Sequence, residues 1–138
     1  MPYSKSRLLA IPIGHSTGTY TDADTFYFGS ILTLGNGTPA NRSKVYFPSN
    51  GIITGVVLFV ANGNIPTTET IEHYVRVNDT TDYLISTELW ERWTSIKNLN
   101  MNVPIATGDY IQIKVVTPTW VTDPTSTNIQ GYLVFKAK

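Results

Sequence analysis

Gly51-Ile52-Ile53-Thr54-Gly55-Val56-Val57-Leu58-Phe59-Val60-Ala61 is the stretch on which the fold turns. It falls far short of the roughly 20 apolar residues that a membrane-spanning helix needs, so it belongs to a water-soluble core. Successive side chains of a strand point to opposite faces. Ile52, Val56, Leu58 and Val60 therefore share one side, and Ile53, Val57 and Phe59 share the other. Both sides are apolar. Strands buried on both faces are the norm in parallel sheets, but parallel pairing needs long crossovers, usually helical, and this chain has no segment to make them. The second face is expected to be covered by a neighbouring subunit. The C-terminal segment repeats the pattern, with Ile129, Leu133 and Phe135 on one side and Tyr132 and Val134 on the other.

Composition agrees with an all-β reading. The 138 residues include twenty Thr, eight Tyr and three Trp, whereas Ala, Glu, Lys and Leu, which favour helices, are sparse. Strand character recurs at Arg7–Ile13, Thr25–Phe28, Ser43–Phe47, Gly51–Ala61, Glu69–Asn78, Asp82–Ser86, Lys97–Ile105, Asp109–Thr117 and Asn128–Lys136. Turn chemistry separates these segments at Gly35-Asn36-Gly37, Pro48–Gly51, Asn62-Gly63-Asn64, Asn78–Thr81 and Thr107-Gly108-Asp109. Strict alternation sets Ile111, Ile113 and Val115 against Gln112 and Lys114, and Ile71, Val75 and Val77 against Glu72 and Arg76, which gives those strands one wet face. The one segment with helical spacing, Thr87–Trp93, lacks a capping box and is expected to be loop. Short strands at this spacing read as a single antiparallel sandwich or barrel spanning 1–138.

Charge and cysteine usage remove several function classes. Ten basic and ten acidic side chains leave no net charge, and no Lys/Arg run of five or more occurs, so nucleic acid and anionic membrane surfaces are not expected partners. Without cysteine there is no thiol nucleophile, no Cys-ligated zinc and no disulfide. The apolar run Leu8–Ile13 is too short for a signal-peptide core and is interrupted by Pro12, so no signal peptide is expected.

The order of segments from Lys44 to Phe135 resembles the trimeric jelly-roll heads of complement-component and tumour-necrosis-factor type, and in detail their relatives on phage and viral fibres. Val45-Tyr46-Phe47-Pro48-Ser49-Asn50-Gly51-Ile52 resembles the family's short strand, turn and long apolar strand of the inner, trimer-forming sheet. Tyr74–Asp79 followed by Asp82–Ser86 is similar to its next hairpin, and Asn100–Ile105 followed by Gly108–Ile113 to its later strand and Gly-Asp turn. Ile129-Gln130-Gly131-Tyr132-Leu133-Val134-Phe135 resembles the closing strand, where the glycine lies at the trimer axis. The stretch Thr117–Thr125 is closer to phage-type members. Two departures stand out: neither a collagen-like stalk nor a heptad coiled coil precedes the head. Residues 1–42 lie outside the resemblance and read as an N-terminal arm plus first strands.

The resemblance implies a tumour-necrosis-factor-like jelly-roll sandwich forming a homotrimer, with Ile53, Val57, Phe59, Leu99, Met101, Tyr132 and Val134 as the subunit seam. It implies a non-enzymatic virion protein, a fibre head, spike or capsid decoration, with other virion proteins and a host-surface glycan or receptor as partners. Antiparallel succession after Gly51 gathers Asn62–Thr68, Thr87–Ile96 and Pro118–Thr127 at one end, making Trp90, Trp93 and Trp120 a candidate ligand-binding rim braced by Pro66, Pro118 and Pro124. The competing reading of these rings is that they cap the sandwich. A monomeric carbohydrate-binding module using that rim is the alternative function.

Nothing in the sequence marks a catalytic site or a cofactor site, since HExxH, GxSxG and P-loop patterns are missing. His15 falls in a Gly/Ser/Thr-rich stretch and is expected in solvent, whereas His73 shares a face with Ile71, Val75 and Val77 and is expected in the core or a subunit interface. Asp22 with Asp24, and Asn78 with Asp79 and Asp82, are the oxygen-rich candidates for calcium, against the commoner use of Asp in turns. Asn-x-Ser/Thr triplets at Asn36, Asn41 and Asn78 are no more than chance supplies in so hydroxyl-rich a chain.

Overall fold

In the computed structural model, which describes residues 7–30, 35–36, 43–64 and 68–138, two antiparallel sheets face one another across a shared core. The strands are β1 (Arg7–Gly18), β2 (Thr25–Phe28), β3 (Gly35–Asn36), β4 (Val45–Tyr46), β5 (Gly51–Ala61), β6 (Thr70–Val77), β7 (Thr81–Leu89), β8 (Trp93–Asn98), β9 (Val103–Ile105), β10 (Tyr110–Val116) and β11 (Thr127–Ala137). The first sheet runs β1-β11-β5-β8, with β9 also on β5. The second runs β3-β2-β10-β6-β7, with β4 also on β10. The architecture is an all-β sandwich. The expected turn residue Gly37, Asn41 and Pro66 lie outside the described residues, as do most of 31–42 and residues 1–6. The described remainder of the expected arm supplies β1 to the first sheet and β2 and β3 to the second.

Alternation explains most of the packing. Ile129, Leu133 and Phe135 of β11 point into the core together with Val56, Leu58 and Val60 of β5, Ile71 and Val75 of β6, and Ile111, Ile113 and Val115 of β10. One break in the pattern matters for the site. Val134 pairs with Gly55 but Phe135 pairs with Ile53, so Thr54 is an extra residue in β5. Such a bulge reverses the facing of everything on one side of it. Ile53 is consequently fully buried in the core, on the same side as Val56 and Leu58, while Ile52 turns outward. Ile53 therefore leaves the expected seam.

Three further expectations change. Thr87–Leu89 continues β7 rather than forming loop, because Thr87 and Leu89 pair with Glu72 and Thr70 of β6. The expected strand Lys97–Ile105 is divided into β8 and β9 by a loop in which Met101 N–H donates to the Thr54 carbonyl of the bulge, 3.0 Å away. Gln112, expected on a wet face, is buried, and its amide donates to the Ser43 hydroxyl at 2.5 Å. Gly131 is fixed by close approach: a Cβ there would lie 1.9 Å from the Val57 carbonyl oxygen.

Candidate functional site

The loops after β1, β5, β7 and β10 meet at one end of the sandwich, as the antiparallel succession requires. Two asparagines hold them together. Asn62 donates its amide to the Glu91 carbonyl at 2.8 Å and accepts from the Thr127 hydroxyl at 2.6 Å. Asn64 donates to the Asp123 carbonyl at 2.6 Å and accepts from Thr125 N–H at 2.7 Å. Asp22 accepts from Trp120 N–H at 2.9 Å, and Asp24 is bonded to the Thr25 N–H and the Thr21 hydroxyl, so the carboxylates of this loop serve its turns.

The three tryptophans gathered there do not form a rim. Trp90 and Trp120 are both buried, their ring centroids 6.2 Å apart, and Trp90 also meets Tyr20 edge-on at 5.0 Å. Tyr20 in turn contacts Phe26 and His15, and His15 contacts Phe28. This chain of rings plugs the loop end of the core, which is the capping role weighed against ligand contact. Only Trp93 is outside, 64% exposed.

Both histidines belong to that plug. His15, expected in solvent, is buried and shares a 2.7 Å hydrogen bond with the equally buried Tyr20 hydroxyl, because β1 extends to Gly18 and carries the residue between the sheets. Burial drives the Tyr20 hydroxyl well above its ordinary pKa of 10.0. His73 lies in the core as expected, and its Nε2 accepts from Trp90 Nε1 at 3.0 Å. Burial lowers its pKa from 6.5 to about 4, the Ser86 backbone offsetting only part of the effect. A neutral, enclosed imidazole such as that of His73 cannot exchange protons with a substrate, so His73 is not placed for acid–base work.

The candidate calcium residues are already satisfied by the chain's own cations. Arg76 reaches Asp79 at 3.3 Å and Asp82 at 3.1 Å, and Lys114 reaches Asp82 at 2.6 Å. Asn78 donates to Asp109 at 2.8 Å, and that hydrogen bond, with one from Ala106 N–H, holds the Asp109 carboxyl below its ordinary pKa. Asn78, Asp79 and Asp82 thus build the β6–β7 turn. Among the described residues, no three His, Asp or Glu side chains gather in a metal-ligating group.

What remains open is the outer face of the first sheet. Its rows follow from the registers. Pro12, Tyr132, Val57 and Lys97 lie side by side across β1, β11, β5 and β8. Ala10, Val134 and Gly55 form the next row, and the Leu99 side chain lies against Gly55. Leu8, Lys136, Ile52 and Pro104 follow. Toward the loop end come Gln130, Phe59 and Ser95, then Asn128, Ala61 and Trp93. Of the expected seam, Val57, Phe59, Leu99, Tyr132 and Val134 share this face, whereas Met101 packs partly against the core. Lys97 and Lys136 are the face's only charges among these rows. Pattern reading missed Trp93 as a member of this face, because its place depends on β8 pairing with β5.

No protein-family model matches the chain, and no curated protein sequence matches it either.

Proposed function

We propose that the protein is a non-enzymatic structural protein that closes into a homotrimer through the outer face of its β1-β11-β5-β8 sheet, as the head of a fibre, a spike or a capsid decoration on a phage or virus particle. The observation that carries this reading is the run of Leu8, Ala10, Pro12, Ile52, Val57, Tyr132 and Val134 across three strands, joined by Leu99 from the loop after β8, with only two lysines beside it. Contiguous apolar surface of this kind marks an interaction site. A second copy of this chain is its natural cover, since it brings equally uncharged surface and a three-fold ring lets unlike patches meet.

Strand order supports a jelly roll. Setting aside β3, β4 and β9, none longer than three residues, the other eight strands run first-eighth-third-sixth in one sheet and second-seventh-fourth-fifth in the other. That is the nesting of two Greek keys. The particle setting rests on the resemblance over residues 44–135. The rival reading, a monomeric carbohydrate-binding module, loses the rim it was built on, because Trp90 and Trp120 are internal.

Light scattering at micromolar concentration tests the assembly. A mass about three times 15.3 kDa is expected, and a mass near 15.3 kDa rejects the trimer. Purified particles carrying the chain in fixed stoichiometry would support the virion role; particles without it would reject that role.

A further inference from the structure

The loop end of the outer face differs from the rest of it. There a hollow of about 370 Å³ opens between Phe59 and Trp93 on one side and Asn128 and Gln130 on the other. Its floor is shallow because Ala61, the small residue between Asn128 and Trp93, occupies the middle of the row. The Phe59 and Trp93 rings are nearly parallel, 26° between planes with centroids 6.2 Å apart. Trp93 is 64% exposed and Phe59 41% exposed. His15 and Ile129 complete its lining, and no Lys, Arg, Asp or Glu side chain belongs to it. The volume falls within the range of small-molecule sites, roughly 300–1,000 Å³.

We infer that this hollow is a binding site for neutral sugar units of a polysaccharide or glycan. A pyranose ring has one face of aliphatic C–H groups and a periphery of hydroxyls. The C–H face loses water profitably only against a flat, apolar surface, which the exposed Trp93 ring, stacked on Phe59, supplies. The hydroxyls are both donors and acceptors, so they suit primary amides, which offer both from one group. Gln130 and Asn128 stand on alternate positions of one strand, roughly 7 Å apart along it, a spacing that lets them address hydroxyls on one ring or on neighbouring rings. No Lys or Arg lines the hollow to attract an anionic sugar, and β11 and β5, which carry Asn128, Gln130 and Phe59, are interior strands that offer a peptide no edge to pair with. The site needs no second copy, but it occupies the loop-end rows of the same face, next to the Tyr132–Val57 row, so it fits the trimer proposal with the seam centred on the rows from Tyr132–Val57 to Leu8–Lys136.

The test is a glycan array carrying neutral and sialylated oligosaccharides, followed by titration of the best neutral ligand against the full chain and its variants. Neutral glycans are expected to bind, with the Trp fluorescence changing on titration. Trp93→Ala should weaken binding at least about tenfold and Gln130→Ala several-fold, while Trp93→Phe retains most of it. Each variant's mass is measured in the same samples. Lost binding at unchanged mass supports the site. Absence of any neutral binder, a preference for sialylated glycans, binding indifferent to both alanine variants, or binding lost together with assembly would each overturn it.

Discussion

The outer faces of the two sheets are built on opposite principles. On β6, β7 and β10 the outward side chains satisfy one another: Arg76 bridges Asp79 and Asp82, Lys114 pairs with Asp82, and Arg76 and Lys114 also lie over the rings of Tyr27 and Tyr74, at 5.8 and 5.4 Å. Tyr74 donates its hydroxyl to Glu72, which with burial raises the tyrosine to about pKa 12. Leu84 and Leu89 are exposed on this face as well, but the paired polar groups dominate it. On β1, β11 and β5 the outward residues are mostly apolar, Leu8, Ala10, Pro12, Ile52, Val57, Phe59, Tyr132 and Val134 beside Lys136, Gln130 and Asn128, and no ion pair joins them among the described residues. A fold with one self-sufficient face and one apolar face is half of an interface, and burying apolar area is the main driving force by which such halves join.

The largest effect that can break this contrast is a charge on the apolar face. Val57→Asp or Val134→Asp is expected to reduce the light-scattering mass to that of one chain, whereas Leu84→Asp, on the wet face of β7, should leave it unchanged. Equal responses would erase the distinction between the faces.

A smaller effect probes the inner side of β6, whose outer side carries Glu72 and Arg76. His73 has a pKa of about 4 in the fold against an ordinary 6.5. Below pH 6.5 the unfolded chain takes up a proton that the folded chain refuses until pH 4, so stability is complete above 6.5 and is lost as the pH falls between those values. The total is roughly 3 kcal/mol, at 1.36 kcal/mol per pH unit of displacement. Urea titrations of wild type and His73→Gln at fixed protein concentration should diverge over that window, with the variant less pH-dependent. Parallel curves would mean that the strand is wet on both sides.

The smallest effect belongs to the paired charges. Partly exposed ion pairs contribute about 0–1 kcal/mol, so Asp82→Asn should lower stability by less than about 1 kcal/mol, and less still in high salt. A loss of several kcal/mol would make that network a support of the fold.

Much of the scaffold was legible because burial leaves a period of two in β6 and β10, and because the apolar runs of β2 and β5 begin and end where the strands do. The inner and outer sets of β11 were legible for the same reason. Ile53 was not, because a bulge at Thr54 leaves no mark in residue type yet exchanges the two faces beyond it. His15 and Trp120 sit in segments rich in Gly, Ser, Thr and Pro and Trp90 among charged residues, and only the closure of four loops over the core end buries them. The calcium candidates failed for a related reason. Their cations, Arg76 and Lys114, come from the same sheet but are brought to the turn by strand register, which residue type does not encode.

Because the chain has no cysteine, a single introduced thiol reports directly on whether the apolar face is covered. Tyr132 and Leu84 are 42% and 52% exposed in the single chain, one on each outer face. In Tyr132→Cys and Leu84→Cys, reaction with a thiol reagent at micromolar protein concentration gives the decisive comparison. Burial of the first sheet's face against another copy predicts that Tyr132→Cys reacts at least about tenfold more slowly than Leu84→Cys and that the gap closes in denaturant. Equal rates under native conditions would contradict it.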